Sequence, residues 1–299
     1  MTTHHFIGTP TGGAIAESET WRIGCVSYLN TLPLIEGLSK LPRMTLVPRP
    51  PSELLEMLER DEIDIGLVSV VDSARASDEL ALLPVGMIAS LGQTLTVRMF
   101  SSVPIQQITR LHADTDSHTS VVLAKILLNE RFGISPDVIE FDAREHRAVR
   151  EQTPSLRNEA SIWPESVLLI GDKVVSDTPP ASLYPHSLDL GETWRELTGL
   201  PFVYAVWMCK RDRAHDPSVR LAAAMLDRQR KHNATRTAWI ASTNAAEHGW
   251  PRELAHEYLT NKLVYDVDDD ARSAVHEFLT RAHGLSLIER PSRAQWLDL

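Results

Sequence analysis

A largely apolar run early in the chain constrains the fold more than any other feature. Ile63 to Val71 contains a glycine and few polar residues, a pattern typical of a strand buried on both faces. Trp21 to Leu29 and Thr45 to Arg49 are earlier β-prone segments, and helical patterns follow each of them, at Leu34 to Leu38 and at Ser52 to Arg60. The order β-α-β-α-β predicts a parallel sheet in an α/β fold.

A second α/β unit is predicted from 108 to 198. It combines a short strand near Ile108, a helix from about His118 to Arg131 that Gly133 ends, and the apolar strand Val167 to Ile170. The β-prone run Leu200 to Met208 follows. The remaining chain is predicted to be helical over about 218–246, 251–263 and 268–282.

These units predict three regions of the chain: a flexible leader over 1–20, lobe 1 from 21–104 together with 200–299, and lobe 2 over 105–199. The chain would cross between the lobes near 97–107 and 199–206, which makes a hinge. Ligand sites favour such an interface between lobes. The pattern leaves one other topology open, a single continuous doubly wound sheet.

Composition argues against several classes of partner. The net charge of −10 argues against a nucleic-acid partner, because phosphate contacts need clustered Lys and Arg. No apolar stretch is long enough to span a membrane, and the first 20 residues lack the basic and apolar regions of a secretory signal. Two cysteines in apolar runs, with no metal-type spacing, suggest buried thiols in the cytoplasm and no metal site.

The first candidate site follows the first strand. Ser27 and Asn30 lie where the carboxyl end of a strand meets a helix, which is where open α/β sheets bind ligands. Asn30 offers both a donor and an acceptor, and Ser27 offers a hydroxyl. The alternative is that Asn30 or Thr31 only caps the next helix.

The second candidate site is the start of the helix near 118. Ser117, His118, Thr119 and Ser120 surround a helix N-terminus, which has free N–H groups and favours carboxylates and phosphates. The alternative is that Ser117 is simply the N-cap and the other side chains are solvated.

Further candidates end other strands. Asp172 follows the strand Val167 to Ile170, where it could orient a ligand hydroxyl or cap a helix. Ser69 lies near the end of the strand from 63. Thr94 and Thr96 lie on a later alternating strand, where Arg98 shares a face with Thr96. Arg98 would meet a ligand carboxylate if that face lined the cleft, or would otherwise be solvated.

Five strings between about 22 and 208 are distinctive: RIGCVSYLNTLPLIEGL, DEIDIGLVSV, DSHTSVVLAKILL, VLLIGDKVV and DLGETWRELTGLPFVYAVW. In this order and spacing they resemble the chorismate dehydratase family of the futalosine route to menaquinone. The resemblance implies a two-lobed fold of the periplasmic-binding-protein type 2 class, with a ligand cleft between the lobes.

The resemblance also implies an activity and its residues. The family removes water from chorismate to give 3-[(1-carboxyvinyl)oxy]benzoate, as a lyase that needs no cofactor. Asn30 matches the catalytic asparagine, and Thr96 stands where the family usually has serine. The substrate-binding positions that it implies are Ser69, Ser117, Thr119 and Ser120. This chain has Asp72-Ser73 where the family often has an acidic-aromatic pair.

Two other functions remain open at this stage. One is a non-catalytic protein that binds or senses a carboxylate in the same cleft. The other is the sister enzyme of the pathway, which acts on a later futalosine-derived intermediate. A monomer and a homodimer are both compatible with the sequence.

Overall fold

The strands form two separate mixed sheets. The structure is a computed structural model that describes residues 20–143 and 163–298. In these residues the first sheet runs in the order β2-β1-β3-β10-β4-β11, with β12 also beside β4. Its strands are β1 (Trp21–Cys25), β2 (Met44–Pro48), β3 (Ile65–Ser69), β4 (Leu80–Ser90), β10 (Phe202–Lys210), β11 (Leu263–Val264) and β12 (Gln295–Trp296).

The second sheet comes from the middle of the chain and runs in the order β7-β6-β8-β5-β9. Its strands are β5 (Val97–Ser101), β6 (Arg110–Asp114), β7 (Asp137–Phe141), β8 (Ser166–Ile170) and β9 (His186–Asp189). We refer to the first sheet with its helices as the first lobe, and to the second sheet with its helices as the second lobe. The alternative of one continuous sheet is therefore wrong.

The helices of the described residues pack around these sheets. They are α1 (Leu32–Ile35), α2 (Leu54–Glu59), α3 (Asp72–Arg75), α4 (His118–Phe132), α5 (Lys173–Ser176), α6 (Leu190–Thr198), α7 (Pro217–Ala234), α8 (Thr237–Asn244), α9 (Arg252–Glu257) and α10 (Asp269–Gly284).

The predicted parallel sheet is present at the start of the chain. Strand β1 pairs in parallel with β2 and β3, and Ile23 lies opposite Ile65. All five residues of β3 are buried, as its apolar sequence predicts. Strand β10 returns antiparallel between β3 and β4, so the end of the chain completes the first sheet.

The first crossing between the lobes lies earlier than predicted. Val97–Ser101 pairs with β8 and β9 in the second sheet, so the crossing is at 91–96 and not at 97–107. The run from Leu91 to Phe100 reads as one alternating strand, but it includes a loop in which Leu95 has a φ of 67°. The second sheet thus contains 97–101, which the predicted boundary assigned to lobe 1. The division of the chain into domains stays a prediction. The predicted leader lies outside the described residues, apart from Thr20.

The helical tail is more broken than predicted. The segment over 218–246 forms two helices, α7 and α8, which separate at Thr235 and Arg236. The segment over 251–263 ends in a π-helical turn, Tyr258–Lys262, directly after α9. This wider turn is frequent at functional sites, and here it begins at a tyrosine that is fully buried.

An aromatic cluster joins the second crossing to the core. Trp194 of α6 is fully buried and packs edge-on against Phe202 and Phe278 at 5.3 and 6.2 Å between ring centroids. Its indole N–H donates to the carbonyl of Pro201 at 2.9 Å. The return from the second lobe to the first is therefore held by buried rings.

Candidate active site

A cavity lies between the two lobes, and its empty space of about 550 Å³ includes a part that is open to solvent. Residues at or just after the carboxyl ends of β1, β3, β6 and β8 line it, which is the edge where α/β sheets bind ligands. The amide and hydroxyl side chains in its wall are those of Asn30, Ser69, Thr94, Thr96, Ser117 and Ser120, and three tyrosines join them, Tyr28, Tyr204 and Tyr258.

The wall of this cavity is uncharged. Among the described residues that line it, none is an aspartate, glutamate, lysine or arginine. An anionic guest would therefore be held by hydroxyls, an amide and the N-terminal end of a helix, and not by ion pairs.

Asn30, Thr96 and Tyr258 form one polar group in the wall. The Tyr258 Oη and the Thr96 Oγ1 are 2.6 Å apart, and both residues are almost fully buried. Burial raises the pKa of Tyr258, and the hydrogen bonds with Thr96 and Asn30 offset this only in part. The phenol is therefore protonated at neutral pH and can donate.

The cap alternative for Asn30 and Thr31 is wrong. Helix α1 begins at Leu32 with no side-chain hydrogen bond to its first turn. The Thr31 hydroxyl donates instead to the Asn30 Oδ1 at 3.3 Å. The Asn30 side chain also hydrogen-bonds the Tyr258 hydroxyl, and it lines the cavity.

A second hydroxyl chain, which joins Ser90, Thr94 and Tyr204, forms another part of the wall. The Tyr204 Oη lies 2.5 Å from the Thr94 Oγ1, which in turn lies 2.9 Å from the Ser90 Oγ. The Asp189 carboxylate fixes the loop, because it accepts from the N–H groups of Thr94 and Leu95 at 2.9 and 2.8 Å. Burial is the largest cause that raises the pKa of Tyr204, so this phenol is also protonated.

Asp189 joins this loop to helix α6. It also accepts from the N–H groups of Gly191 and Glu192, as the N-cap of that helix. Gly191 must be a glycine, since a Cβ there would lie 2.1 Å from the Thr94 Oγ1 and 2.5 Å from the carbonyl oxygen of Gly92.

The N-terminus of α4 supplies the second-lobe side of the cavity. The Ser117 Oγ accepts from the N–H of Ser120 at 3.3 Å, so Ser117 is the N-cap as the alternative predicts. Both serines nevertheless line the cavity, with their hydroxyls 3.0 Å apart. The cap role and a place in the cavity wall are compatible here.

His118 and Thr119 contact the first lobe and are not among the residues that line the cavity. The His118 Nδ1 lies 2.9 Å from a carboxylate oxygen of Asp72, whose side chain is fully buried. The Thr119 Oγ1 accepts from the N–H of Val71 at 3.2 Å. These two residues hold the start of α4 against the first lobe. The fully buried Asp72 is thus a contact between lobes and not part of the cavity wall.

Tyr28 crosses between the lobes at the opposite side. Its hydroxyl donates to an Asp116 carboxylate oxygen at 2.9 Å, and the Lys173 Nζ lies 2.7 Å from the same oxygen. Its ring packs on Gly171, where φ is +67° and a Cβ would come within 3.0 Å of the ring. This glycine therefore permits both the backbone conformation and the close approach of Tyr28.

Besides His118 and Thr119, three other predicted residues lie away from the cavity wall. Ser27 is exposed. Asp172 precedes α5 without capping it by its side chain, and it bonds to Leu29, His248 and Trp250 instead. Arg98 is directed to Asp189, at 3.7 Å, and does not line the cavity.

The family model described as menaquinone biosynthesis matches residues 21–284. The chain belongs to this family.

Proteins already characterised resemble this chain in sequence or in fold. The chain is 28% identical over 270 residues to the chorismate dehydratase of Thermus thermophilus, covering 86% of this chain and 93% of that protein. Its fold resembles the alkanesulfonate-binding protein SsuA of Xanthomonas axonopodis pv. citri bound to MOPS, with a TM-score of 0.63, 15% identity and coverage of 94% and 100% of the two chains. The periplasmic aliphatic sulphonate binding protein SsuA of Escherichia coli gives a TM-score of 0.58 at 15% identity, over 92% of this chain and 95% of that one. The fold is thus of the periplasmic-binding-protein class.

In this member of the menaquinone biosynthesis family, six residues predicted from the sequence lie together in the cavity wall, and three tyrosines of the wall were not predicted. The six are Asn30, Ser69, Thr94, Thr96, Ser117 and Ser120. The three tyrosines are Tyr28, Tyr204 and Tyr258. Tyr28 stands inside the YLN string and Tyr204 in an aromatic run that reads as packing, whereas no pattern around Tyr258 distinguishes it from other helical residues.

The residues that the structure describes offer neither a metal cluster nor a membrane span. No group of three or more His, Cys, Asp or Glu side chains in 20–143 and 163–298 is placed to hold a metal ion. No helix in those ranges is both long and apolar enough to cross a bilayer.

Proposed function

We propose that this chain is a chorismate dehydratase that acts in the cytoplasm, a lyase of the futalosine route that converts chorismate to 3-[(1-carboxyvinyl)oxy]benzoate and water. The observation that carries the proposal is the composition of the cavity wall. The first lobe contributes the amide of Asn30 and the phenol of Tyr258, the second lobe contributes a helix N-terminus with Ser117 and Ser120, and Thr96 lies at the crossing between them. The identity with a chorismate dehydratase of Thermus thermophilus supports the same reaction.

The uncharged wall suits a substrate that carries two carboxylates. The N-terminus of α4 offers a positive dipole end and hydroxyl donors to one carboxylate, worth roughly 0.3–2 kcal/mol for the dipole. Since no acidic side chain lines the cavity among the described residues, the wall does not repel the substrate. A wall of neutral donors is therefore compatible with a small anion.

The reaction itself needs alignment more than a strong catalyst. The C3–H bond breaks, its electron pair forms the new double bond between C3 and C4, and the C4 hydroxyl leaves, so that one water is released and the ring becomes aromatic. The stability of that ring drives the reaction, and no oxidant or reductant is needed. Holding the proton and the leaving group in line is the main task of the protein.

Asn30 is the residue that we place at the C3 proton. Its amide polarises that position, while a carboxylate of the substrate serves as the internal base. The hydroxyls of Thr96 and Tyr258 lie 2.6 Å apart, and their hydrogen bond holds both in a fixed orientation. The contacts between the lobes at Tyr28, Thr119 and His118 hold the lobes together around the cavity, which would limit the access of water during the step.

The test is direct conversion of purified chorismate. We expect the ultraviolet spectrum of the substrate diene to be replaced by that of a benzoate, and mass spectrometry to show the loss of one water. A matched sample of Asn30→Ala should convert far more slowly, which excludes a contaminating enzyme. Chorismate that binds but is not converted would favour a non-catalytic carboxylate-binding protein, and conversion of a futalosine-derived intermediate instead would favour the sister enzyme.

A further inference from the structure

Three N–H donors converge on a single carboxylate between the lobes. Asp172 follows β8 in the second lobe, and its side chain is 17% exposed. One oxygen, Oδ2, accepts from the backbone N–H of Leu29 at 3.2 Å and faces the His248 Nδ1 at 2.9 Å. The other oxygen, Oδ1, accepts from the Trp250 Nε1 at 2.8 Å. The carboxylate only accepts, so the His248 Nδ1 carries a proton toward it.

Two of these donors connect Asp172 to the two parts of the proposed reaction centre, which are Asn30 and the Tyr258–Thr96 pair. Leu29 directly precedes Asn30, so the hydrogen bond to its N–H fixes the backbone that presents the amide. Trp250 stacks on Tyr258 with a centroid separation of 4.8 Å and an interplanar angle of 15°. Tyr258 in turn hydrogen-bonds Thr96. One carboxylate of the second lobe thus reaches both Asn30 and Thr96 through residues of the first lobe and the helical tail.

Neither a helix cap nor contact with a ligand accounts for this arrangement. The Asp172 side chain makes no cap hydrogen bond to α5, and it is not among the residues that line the cavity. Three donors at two oxygens require a group that only accepts hydrogen bonds, and among side chains this group is a carboxylate. An amide of the same shape would turn an N–H toward one of them.

We propose that Asp172 is a positioning residue that couples closure of the lobes to the placement of Asn30 and of the Tyr258–Thr96 pair. Closure brings Asp172 to Leu29, His248 and Trp250, and these contacts set the two parts of the reaction centre relative to each other. The kinetic part of this proposal rests on the proposed function, whereas its structural part does not.

The first variant is Asp172→Asn, compared with Glu165→Gln, which makes the same chemical change at an exposed residue directly before β8. We expect hydrogen exchange over 26–31 and 248–258 to become faster in Asp172→Asn, with global protection and melting temperature little changed. Turnover of chorismate should fall by about tenfold to a hundredfold, since a small misplacement of reacting groups has effects of this size. The Michaelis constant should change less than kcat. Glu165→Gln should match the natural chain in every measurement.

The second variant separates positioning from general packing. In Asp172→Asn the amide oxygen can keep the place of Oδ2, which leaves its NH₂ group facing the Trp250 Nε1–H. Trp250→Phe removes that N–H and keeps a ring against Tyr258. We therefore expect the double variant Asp172→Asn with Trp250→Phe to recover part of the lost turnover, although Trp250→Phe alone does not raise it.

Two results would overturn the proposal. One is unchanged exchange over both 26–31 and 248–258 in Asp172→Asn, which requires no substrate and holds whether or not the proposed function is correct. The other, for a chain that converts chorismate, is a rise in the Michaelis constant with kcat intact, which would make Asp172 a binding residue. Failure of the natural chain to convert chorismate would refute the proposed function and leave the exchange comparison to decide the role of Asp172.

Discussion

The hydroxyl of Tyr258 lies 2.6 Å from the Oγ1 of Thr96, although 162 residues separate them in the chain. Thr96 stands at the first crossing between the lobes, and Tyr258 begins the π-helical turn after α9. The helical tail therefore contributes directly to the cavity and does more than cover the first sheet.

Tyr258→Phe removes the hydroxyl and keeps the ring that stacks on Trp250. We expect kcat to fall by about fivefold to tenfold, because one hydrogen bond that orients Thr96 is lost. Steady-state kinetics measure kcat, and thermal unfolding measures the stability of the variant. The matched control is Tyr184→Phe, which removes another buried hydroxyl, one that donates to the carbonyl of Trp163 at 2.9 Å outside the cavity. The control should lose stability without losing turnover, and an equal loss of kcat in both variants would contradict the assignment.

Thr96→Ser keeps the hydroxyl and removes only the methyl group. Since serine is the usual residue of the family that this sequence resembles, we expect turnover within about threefold of the natural chain. Thr96→Val has nearly the same shape but no hydroxyl, and should lose far more activity because the Tyr258 phenol then has one partner fewer. Comparison of kcat for the two variants makes the test, and similar values in both would show that the hydroxyl is not used.

Asn30→Ala removes the amide that we place at the C3 proton. We expect kcat to fall by about a hundredfold to a thousandfold, the usual effect of removing one donor that stabilises developing charge. The free energy of unfolding should fall by about 1–2 kcal/mol, because the amide makes hydrogen bonds with Thr31 and with Tyr258. Asn244→Ala is the control, as its amide donates to the carbonyl of Ile240 at the end of α8. Near-normal turnover of Asn30→Ala would exclude the proposed role.

The early part of the fold could be predicted because its signals are local. The strands β1, β2 and β3 lie within 50 residues of one another and have helical patterns between them, so their parallel pairing follows from order alone. Val97–Ser101 could not be assigned in this way. Its partners β8 and β9 lie far along the chain, and the apolar alternation runs through the preceding loop without a break.

The candidate site was predictable where a residue ends a strand or starts a helix. Asn30, Ser69 and Ser117 occupy such positions, and the topology brings them to one edge. Asp172 occupies one as well, but its orientation depends on His248 and Trp250, which are more than 70 residues away. Tyr258 has no local signal, because only tertiary packing turns it toward Thr96.

Gly191→Ala tests the close packing of α6 on the loop over 91–96. The added Cβ would meet the Thr94 Oγ1 at 2.1 Å and the Gly92 carbonyl oxygen at 2.5 Å, so the loop must move. We expect a loss of about 1–3 kcal/mol in the free energy of unfolding, as for other overpacked positions, together with reduced turnover. Gly92→Ala is the control, since nothing lies within 4 Å of its added Cβ. Urea unfolding of both variants measures the difference, and equal stabilities would show that the contact is easily relieved.

The buried phenols of Tyr204 and Tyr258 predict how stability depends on alkaline pH. Burial raises the pKa of both above the value of about 10 that tyrosine has in an unfolded chain. Above about pH 10 the unfolded chain therefore releases protons that the folded chain keeps, so the unfolded state gains free energy of ionisation and stability falls as the pH rises. In this window each such tyrosine lowers the free energy of unfolding by about 1.4 kcal/mol per pH unit, and at pH 7 it has no such effect. The free energy of unfolding in urea, measured from pH 8 to 11 at constant ionic strength, should decline less steeply in Tyr258→Phe than in the natural chain. Parallel curves for the two proteins would mean that Tyr258 ionises as readily in the folded state as in the unfolded one, and that its hydroxyl is not enclosed between Thr96 and Asn30.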